Sequence, residues 1–201
     1  MENNKIQKFL KLADELENQS DTELLLANDL IKQAKYLKGI NKLELMGGDY
    51  PAIEDFINVD FEAKRGVKGS VLQISKYIPN SKKLIIMNNP YFNKEFVHQF
   101  LKQYPLNIEQ SPDFLILDYL LKEINKISEK DSYLLISGTP SNKFFNKIKE
   151  ENKAIINQLK CWDIMIYRGK LPYFYKDTDF YRTNGQSIKG KMKINLLKKN
   201  Q

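Results

Sequence analysis

The sequence predicts an α/β protein with a mixed central sheet flanked by helices. Segments with apolar residues at helical spacing alternate with short apolar runs typical of strands, and no internal repeat or low-complexity linker interrupts them. A chain of 201 residues with 42% hydrophobic residues can form one domain with a full core. We therefore expect one domain over 1–201, with N-terminal helices at 1–38, a core at 40–160 and an aromatic and basic β appendage at 161–201.

Amphipathic periodicity and β-type alternation define the elements in chain order. Residues 3–18 and 21–38 carry apolar side chains at helical spacing, and the second helix begins at a capping box of Ser20 and Glu23. Strands are predicted at Lys42–Met46, Gly48–Ile53, Phe56–Lys64, Lys83–Asn88 and Tyr133–Ser137. Further helices are predicted at Ser70–Ile78, Asn93–Gln103, Asp113–Ile127 and Asn142–Leu159.

The predicted strand Phe56–Lys64 separates apolar from polar side chains by strict alternation. Its polar face carries Asn58, Asp60, Glu62 and Lys64. A carboxylate pair that binds a divalent ion, beside a lysine that orients water, is suited to phosphodiester hydrolysis. The alternative is a half-exposed antiparallel strand whose charges meet solvent and cross-strand partners. Both interpretations are open on the strand alone.

Two short motifs at a fixed spacing favour the first interpretation. The run Glu62-Ala63-Lys64-Arg65-Gly66 is followed by a helix on which Gln73 and Tyr77 lie one turn apart. Here the chain resembles the PD-(D/E)XK nuclease superfamily, in branches that read E-x-K-R-G and then Q-x-x-x-Y. The resemblance covers residues 40–125. It implies a restriction-endonuclease-like fold, a Mg²⁺ cofactor with Mn²⁺ as the alternative, cleavage of DNA, and a homodimer.

The resemblance also implies a role for each site residue. The first metal ligand precedes the E-x-K motif and is either Asp49 or Asp55; a hairpin turning at residues 54–55 would put Asp49 opposite Asp60 and favours Asp49. Mg²⁺ would then be bound by Asp49 and Glu62 with help from Asp60. Lys64 would position water and stabilise charge on phosphorus. Gln73 and Tyr77 would orient the site, while Arg65 or Lys68 would bind a neighbouring phosphate.

Positive charge is concentrated near the C-terminus. The chain has a formal net charge of +7, and residues 181–201 contain six Lys or Arg and no acid. The row of lysines either contacts a phosphate backbone or protects an exposed sheet edge. Upstream, aromatic and cationic residues either contact nucleic acid or form a hairpin turning at Gly169-Lys170. The cations expected to contact nucleic acid are Arg168, Arg182, Lys189, Lys191 and Lys193, in addition to Arg65, Lys68 and the ring of Tyr77.

The sequence as a whole predicts a Mg²⁺-dependent DNA endonuclease of restriction or defence type. One alternative is a non-catalytic nucleic-acid-binding or protein-interaction module on the same fold. Another is an unrelated α/β domain that binds a phosphorylated ligand near residues 137–143. A single cysteine, Cys161, and the lack of a membrane-length apolar run predict a cytoplasmic location without a membrane partner.

Overall fold

A mixed seven-stranded sheet forms the centre of the protein. The computed structural model describes residues 41–49, 56–88, 90, 92, 94–104, 112–138, 142, 157–170 and 193–201. The strands are β1 (Asn41–Leu45), β2 (Ile57–Asp60), β3 (Val67–Lys68), β4 (Lys83–Asn88), β5 (Tyr133–Gly138), β6 (Trp162–Lys170) and β7 (Lys193–Lys199). Together with the helices, this sheet confirms the predicted mixed α/β class.

The sheet is parallel except for one strand. Its order is β3-β2-β1-β4-β5-β7-β6, and β1 pairs in parallel with both β2 and β4. The β2–β3 and β4–β5 pairs are also parallel, whereas β7 is antiparallel to its two neighbours. Successive strands are added outwards from β1 to β3, and the chain then returns to place β4 on the other side of β1. The strand order therefore reverses between β1 and β4.

Helices cover one face of the sheet. The 3₁₀ helix Val71–Lys76, helix α1 (Lys94–Gln103) and helix α2 (Pro112–Ile127) supply apolar side chains to one core cluster. Helix α2 buries a continuous apolar stripe, which is why its period of 3.6 residues is visible in the sequence. The cluster also contains alternate residues of the central strands, namely Leu43, Leu45, Ile85, Met87, Leu134 and Ile136.

The opposite face of the sheet is buried as well. Leu84 and Ile86 of β4, Leu135 of β5 and Leu196 of β7 are inaccessible to solvent. A strand that is buried on both faces reads as a continuous apolar run, which explains why β4 is recognisable with the same bounds from sequence and structure.

The predicted hairpin between the second and third strands is wrong. β2 pairs in parallel with β1 on one side and with β3 on the other, so neither side of β2 is free for an antiparallel partner; residues 50–55, which include the predicted turn, lie outside the described residues. Gly48 and Asp49 lie in a turn rather than a strand, and β2 ends at Asp60 instead of continuing to Lys64. The β-meander that would have aligned the acidic residues is therefore replaced by parallel strands.

The other predicted elements either agree to within a residue, differ in type, or lie outside the described residues. Strand β5 and helices α1 and α2 occur where they were expected. The short helix after Ser70 is a 3₁₀ helix, and Gly169 and Lys170 continue β6 instead of forming a turn. The N-terminal helices at 1–38 and most of the helix at 142–159 lie outside the described residues. Among those described, no helix combines the length and apolarity needed to cross a membrane.

Candidate functional site

The strand order reverses between β1 and β4, and we call the region outside the carboxyl ends of these two strands the crevice. In open, mainly parallel α/β sheets, ligands bind outside the carboxyl ends of the strands at the point where the order reverses. In this protein that point lies between Leu45, which ends β1, and Asn88, which ends β4. Asp60 ends the neighbouring strand β2 at the same edge. The side chains around these three strand ends are therefore the candidate site.

A turn that requires glycine follows β1. A Cβ atom on Gly47 would lie 2.6 Å from Oδ1 of Asn58, closer than real side chains approach. Gly48 has φ +70°, in the left-handed region that favours glycine. The non-glycine Met46 also has a positive φ, of 61°, so the chain turns sharply as soon as β1 ends. This conformation lets the backbone pass close to the end of β2.

Asn58 and Asp60 hold this glycine turn through its backbone. The Gly47 amide donates to Asn58 Oδ1 over 3.3 Å, and Asn58 Nδ2 donates to the Gly48 carbonyl over 2.7 Å. The Gly48 amide donates to Asp60 Oδ2 over 3.0 Å. Both glycine amides thus have acceptors within the protein. In phosphate-binding loops such amides point at the ligand instead.

Asp60 organises the loop that follows β2 as well. Its Oδ1 accepts from the Glu62 amide over 2.9 Å, and its backbone carbonyl accepts from Gly69 over 3.0 Å. The carboxylate is partly exposed, and each oxygen retains a lone pair beyond the one that the backbone amide uses. Asp60 can therefore accept further hydrogen bonds from a ligand in the crevice.

A buried hydrogen-bonded chain crosses the reversal point beneath this edge. Asn88 Nδ2 of β4 donates to Glu44 Oε1 of β1 over 2.6 Å. Ser137 Oγ of β5 donates to Asn88 Oδ1 over 3.2 Å. Just beyond β4, the carbonyl of Pro90 accepts from Asn142 Nδ2 over 2.9 Å. The end of β4 is thus held from both neighbouring strands and from the segment after β5.

Aromatic rings form a wall beside the crevice. Phe61 directly follows Asp60 and is 50% exposed, which is unusual for so large an apolar side chain. Its ring centroid lies 5.7 Å from that of Phe96, and Phe96 stacks on Phe92 with centroids 4.7 Å apart. Because Phe92 follows β4 and Phe61 follows β2, the rings extend from one strand end to the other.

The predicted nuclease residues are only partly brought together. Lys64 Nζ forms an ion pair with Asp49 Oδ2 at 2.5 Å, and the Lys64 amide donates to the Asp49 carbonyl over 2.9 Å. Asp60 contacts the same turn through Gly48. Glu62 lies in the loop after β2 and is exposed, so it does not share a strand face with Asp60. Asp55 lies outside the described residues.

The residues predicted to orient the site or to bind a neighbouring phosphate lie between β2 and β4. Gln73 has a non-helical conformation within the 3₁₀ helix and accepts from Lys76 Nζ over 3.0 Å. The ring of Tyr77 lies beside Gly69, where an added Cβ would be 2.9 Å from Tyr77 Cε2. Arg65 and Lys68 are exposed near the ends of β2 and β3. The predicted helical face shared by Gln73 and Tyr77 is not formed, since no α-helix occurs there.

The predicted basic residues of the C-terminal segment are described in part. Lys193 begins β7 and pairs with Gly138, so it lies at the carboxyl end of β5, on the same edge as the crevice. Arg168 belongs to β6. The remaining cations, Arg182, Lys189 and Lys191, lie outside the described residues.

Among the described residues, no three His, Cys, Asp or Glu side chains are grouped so that they could bind a metal ion. The described groups whose pKa is clearly displaced from its usual value lie away from the glycine turn. Burial lowers the pKa of Lys83 and of Lys199, against weaker opposing effects of Glu129 and Cys161. Lys83 begins β4 and Lys199 ends the antiparallel β7, so both lie at the amino edge of the parallel strands. These lysines belong to the framework of the fold.

Sequence reasoning identifies Asp60, as a metal ligand, but misses Gly47, Gly48 and Asn88. The two glycines lie just after the first strand, and the acidic Asp60 ends the next one; this order is a recognisable signal for a nucleoside site when the strands are parallel. Asn58 and Asn88 give no comparable signal, because their roles depend on partners distant in sequence. Comparison with known protein families and with curated proteins finds no match to this chain.

Proposed function

We propose that this protein is an enzyme that binds a nucleoside cofactor across the carboxyl ends of β1, β2 and β4 and transfers a group to nucleic acid. The observation that carries the proposal is the position of Asp60. It ends the strand next to β1 and contacts the glycine turn at the reversal of strand order. In open α/β sheets an acidic residue at this position binds the hydroxyl groups of a ribose.

The glycine turn favours a nucleoside over a pyrophosphate-linked cofactor. Its two amides donate to Asn58 and Asp60, so they are engaged and not directed at an anion. The Asp60 carboxylate borders the turn and would repel phosphate while attracting a cation, whereas the charge of Asp49 is offset by its ion pair with Lys64. S-adenosylmethionine is a nucleoside of suitable charge, because its sulfonium and ammonium groups outweigh its single carboxylate and make it positive overall. When bound, such a compound supplies an activated methyl group.

The aromatic wall suits the base of the same nucleoside. Phe61 is adjacent in sequence to Asp60, so one ligand can place its ribose on the carboxylate and its base on the ring. Stacking of a base on an aromatic ring contributes about 1–3 kcal/mol. The contact with Phe96 fixes the orientation of Phe61 from the side of β4.

Nucleic acid is the proposed substrate because cations surround the crevice. Arg65 and Lys68 lie in the loop and strand after β2, and Lys193 begins β7 at the same end of the sheet, whereas Lys64 is paired with Asp49. The chain carries an overall charge of +7. Phosphate contacts from such residues give affinity that falls steeply with salt concentration.

Calorimetric titration with S-adenosylhomocysteine, adenosine and ATP tests the nucleoside site. We expect S-adenosylhomocysteine and adenosine to bind more tightly than ATP, and Asp60→Asn to weaken binding about tenfold or more, as loss of a charged hydrogen bond would. The matched control is Asp163→Asn, which changes an exposed carboxylate on edge strand β6 and should leave affinity unchanged. Tightest binding of ATP, or equal affinity of Asp60→Asn and wild type, would contradict the proposal.

A metal-dependent DNA endonuclease is the second candidate. The observation that favours it is the convergence of Asp49, Asp60 and Lys64 on one turn. Mg²⁺ or Mn²⁺ would be bound by the two aspartates, and Lys64 would stabilise charge on the phosphate. The restriction-endonuclease-like fold and the homodimer belong to this candidate. Its non-catalytic variant keeps DNA binding without hydrolysis.

Cleavage of plasmid and phage DNA with Mg²⁺, with Mn²⁺ and with EDTA tests this second candidate. Metal-dependent fragments that disappear in Asp49→Asn and Lys64→Ala would support the nuclease. Salt-sensitive DNA binding without cleavage would support either the non-catalytic variant or the transferase. Nucleoside titration then separates those two.

A further inference from the structure

The ends of β1 and β4 form the two walls of the crevice, and a hydrogen bond between buried side chains joins them. Asn88 Nδ2 on β4 donates to Glu44 Oε1 on β1, and the exposed fractions of these residues are 6% and 1%. The Nδ2–Oε1 distance of 2.6 Å is short for an N–H···O hydrogen bond. Because β1 and β4 are the strands between which the order reverses, this bond spans the floor of the proposed site.

The amide of Asn88 is fixed at both ends. Its Oδ1 accepts from Ser137 Oγ, which is fully buried on β5, while its Nδ2 donates to Glu44. Asn88 is therefore oriented by protein partners on both sides. Glu44 in turn lies beside Asn58, its register partner on β2, and Asn58 holds the glycine turn. The chain of contacts thus runs from the end of β4 to the turn after β1.

We propose that Glu44 is a positioning residue, which acts through Asn88 to hold the end of β4 at the correct place relative to the glycine turn. The proposal rests on the nucleoside site proposed above, since a ligand between β1 and β4 would contact both walls. Glu44 is buried beneath the site and acts without touching the ligand. Misplacement of one wall would weaken binding even where the ribose and base contacts are intact.

Because Asn88 donates this hydrogen bond and Glu44 accepts it, exchanging donor and acceptor provides a selective test. In Asn88→Asp, two carboxylates would face each other across the bond; such a pair shares one proton, and repulsion separates the walls once that proton is lost at higher pH. In the double variant Glu44→Gln with Asn88→Asp, the side-chain amide of position 44 would donate to the carboxylate at position 88. The bond would then be restored with donor and acceptor exchanged, and Ser137 could still donate as before. Glu44→Gln alone retains an oxygen that can accept from Asn88.

The experiment measures S-adenosylhomocysteine affinity and backbone hydrogen exchange in these variants. As the pH is raised and the carboxylate pair of Asn88→Asp loses its shared proton, we expect this variant to bind about tenfold more weakly than wild type, whereas Glu44→Gln and the double variant stay within about threefold. In Asn88→Asp, backbone hydrogen exchange should accelerate in residues 45–49 and in residues 84–90. In the double variant it should return to the wild-type rate. Asn125→Asp is the matched control, because it alters a partly buried amide near β6, away from the crevice.

Two results would overturn the inference. One is unchanged affinity in Asn88→Asp despite a loss of stability like that of Asn125→Asp. The other is failure of the double variant to restore both affinity and exchange. If wild type binds no nucleoside, the proposed function fails, and the exchange data still decide whether Glu44 couples the two strand ends.

Discussion

Replacement of Gly47 by alanine should destabilise the protein through a collision beside the site. The added Cβ would lie 2.6 Å from Asn58 Oδ1, 3.2 Å from Asn58 Cγ and 3.3 Å from Glu44 Cδ. Asn58 and Glu44 are both buried, so neither can turn into solvent to relieve the contact. Asn58 must therefore shift, which weakens its bonds to the Gly47 amide and the Gly48 carbonyl.

The magnitude follows from these two effects. Overpacking of a buried site costs about 1–3 kcal/mol. Each weakened hydrogen bond adds about 1 kcal/mol. We expect Gly47→Ala to lower the free energy of unfolding by about 3–5 kcal/mol, measured by urea denaturation monitored through the fluorescence of Trp162.

The neighbouring glycine provides the control. A Cβ on Gly48 would meet nothing within 4 Å, so Gly48→Ala costs only the strain of its positive φ, about 1–2 kcal/mol. In an Asn58→Ala background, the cost of Gly47→Ala should fall, because the colliding side chain is absent. A cost for Gly47→Ala no larger than that for Gly48→Ala, or one unchanged by Asn58→Ala, would refute the steric argument.

Three further predictions concern other parts of the molecule. Phe61→Ala should weaken adenosine binding about tenfold in calorimetry, with little loss of stability, because the ring is half exposed. Glu123→Ala should cost about 2–3 kcal/mol in urea denaturation, since this buried carboxylate accepts from both the amide and the hydroxyl of Ser75. Burial lowers the pKa of Lys83, so the unfolded chain binds more protons below pH 10.5. The difference in unfolding free energy between wild type and Lys83→Met should therefore rise as pH increases towards 10.5, and a constant difference would contradict this.

Elements that bury a continuous or periodic apolar surface can be predicted from this sequence. Strand β4 and helix α2 are examples, because burial on both faces of the strand and along one stripe of the helix leaves a pattern that needs no knowledge of partners. Helix α1 is similar, with Phe100 at the centre of its buried stripe. Local burial decides these elements, so local sequence is sufficient to find them.

The direction of strand pairing could not be obtained in the same way. Alternation in residues 57–60 is equally compatible with parallel and antiparallel partners, and the structure pairs β2 with β1 in parallel. The prediction that this strand continues to Lys64 is wrong for a local reason. Asp60 accepts from the Glu62 amide through its side chain, and its carbonyl lies 3.4 Å from the Ala63 amide, so a turn replaces the strand.

The parallel pairing changes the role of Asp60. In a hairpin it would face Asp49 across two strands, as a metal site requires; in the observed fold it meets the glycine turn at the end of β1. The same carboxylate thereby occupies the position at which α/β sheets bind a ribose.

The hydrogen bond between Gly48 and Asp60 therefore distinguishes the two candidate functions. If Gly48 and Asp60 remain bonded when nucleoside binds, Asp60 serves the ribose through its remaining lone pairs. A metal ion between Asp49 and Asp60 would instead compete with the Gly48 amide for Oδ2. Exchange of the Gly48 amide should accordingly slow with adenosine under the transferase hypothesis and accelerate with Mg²⁺ under the nuclease hypothesis.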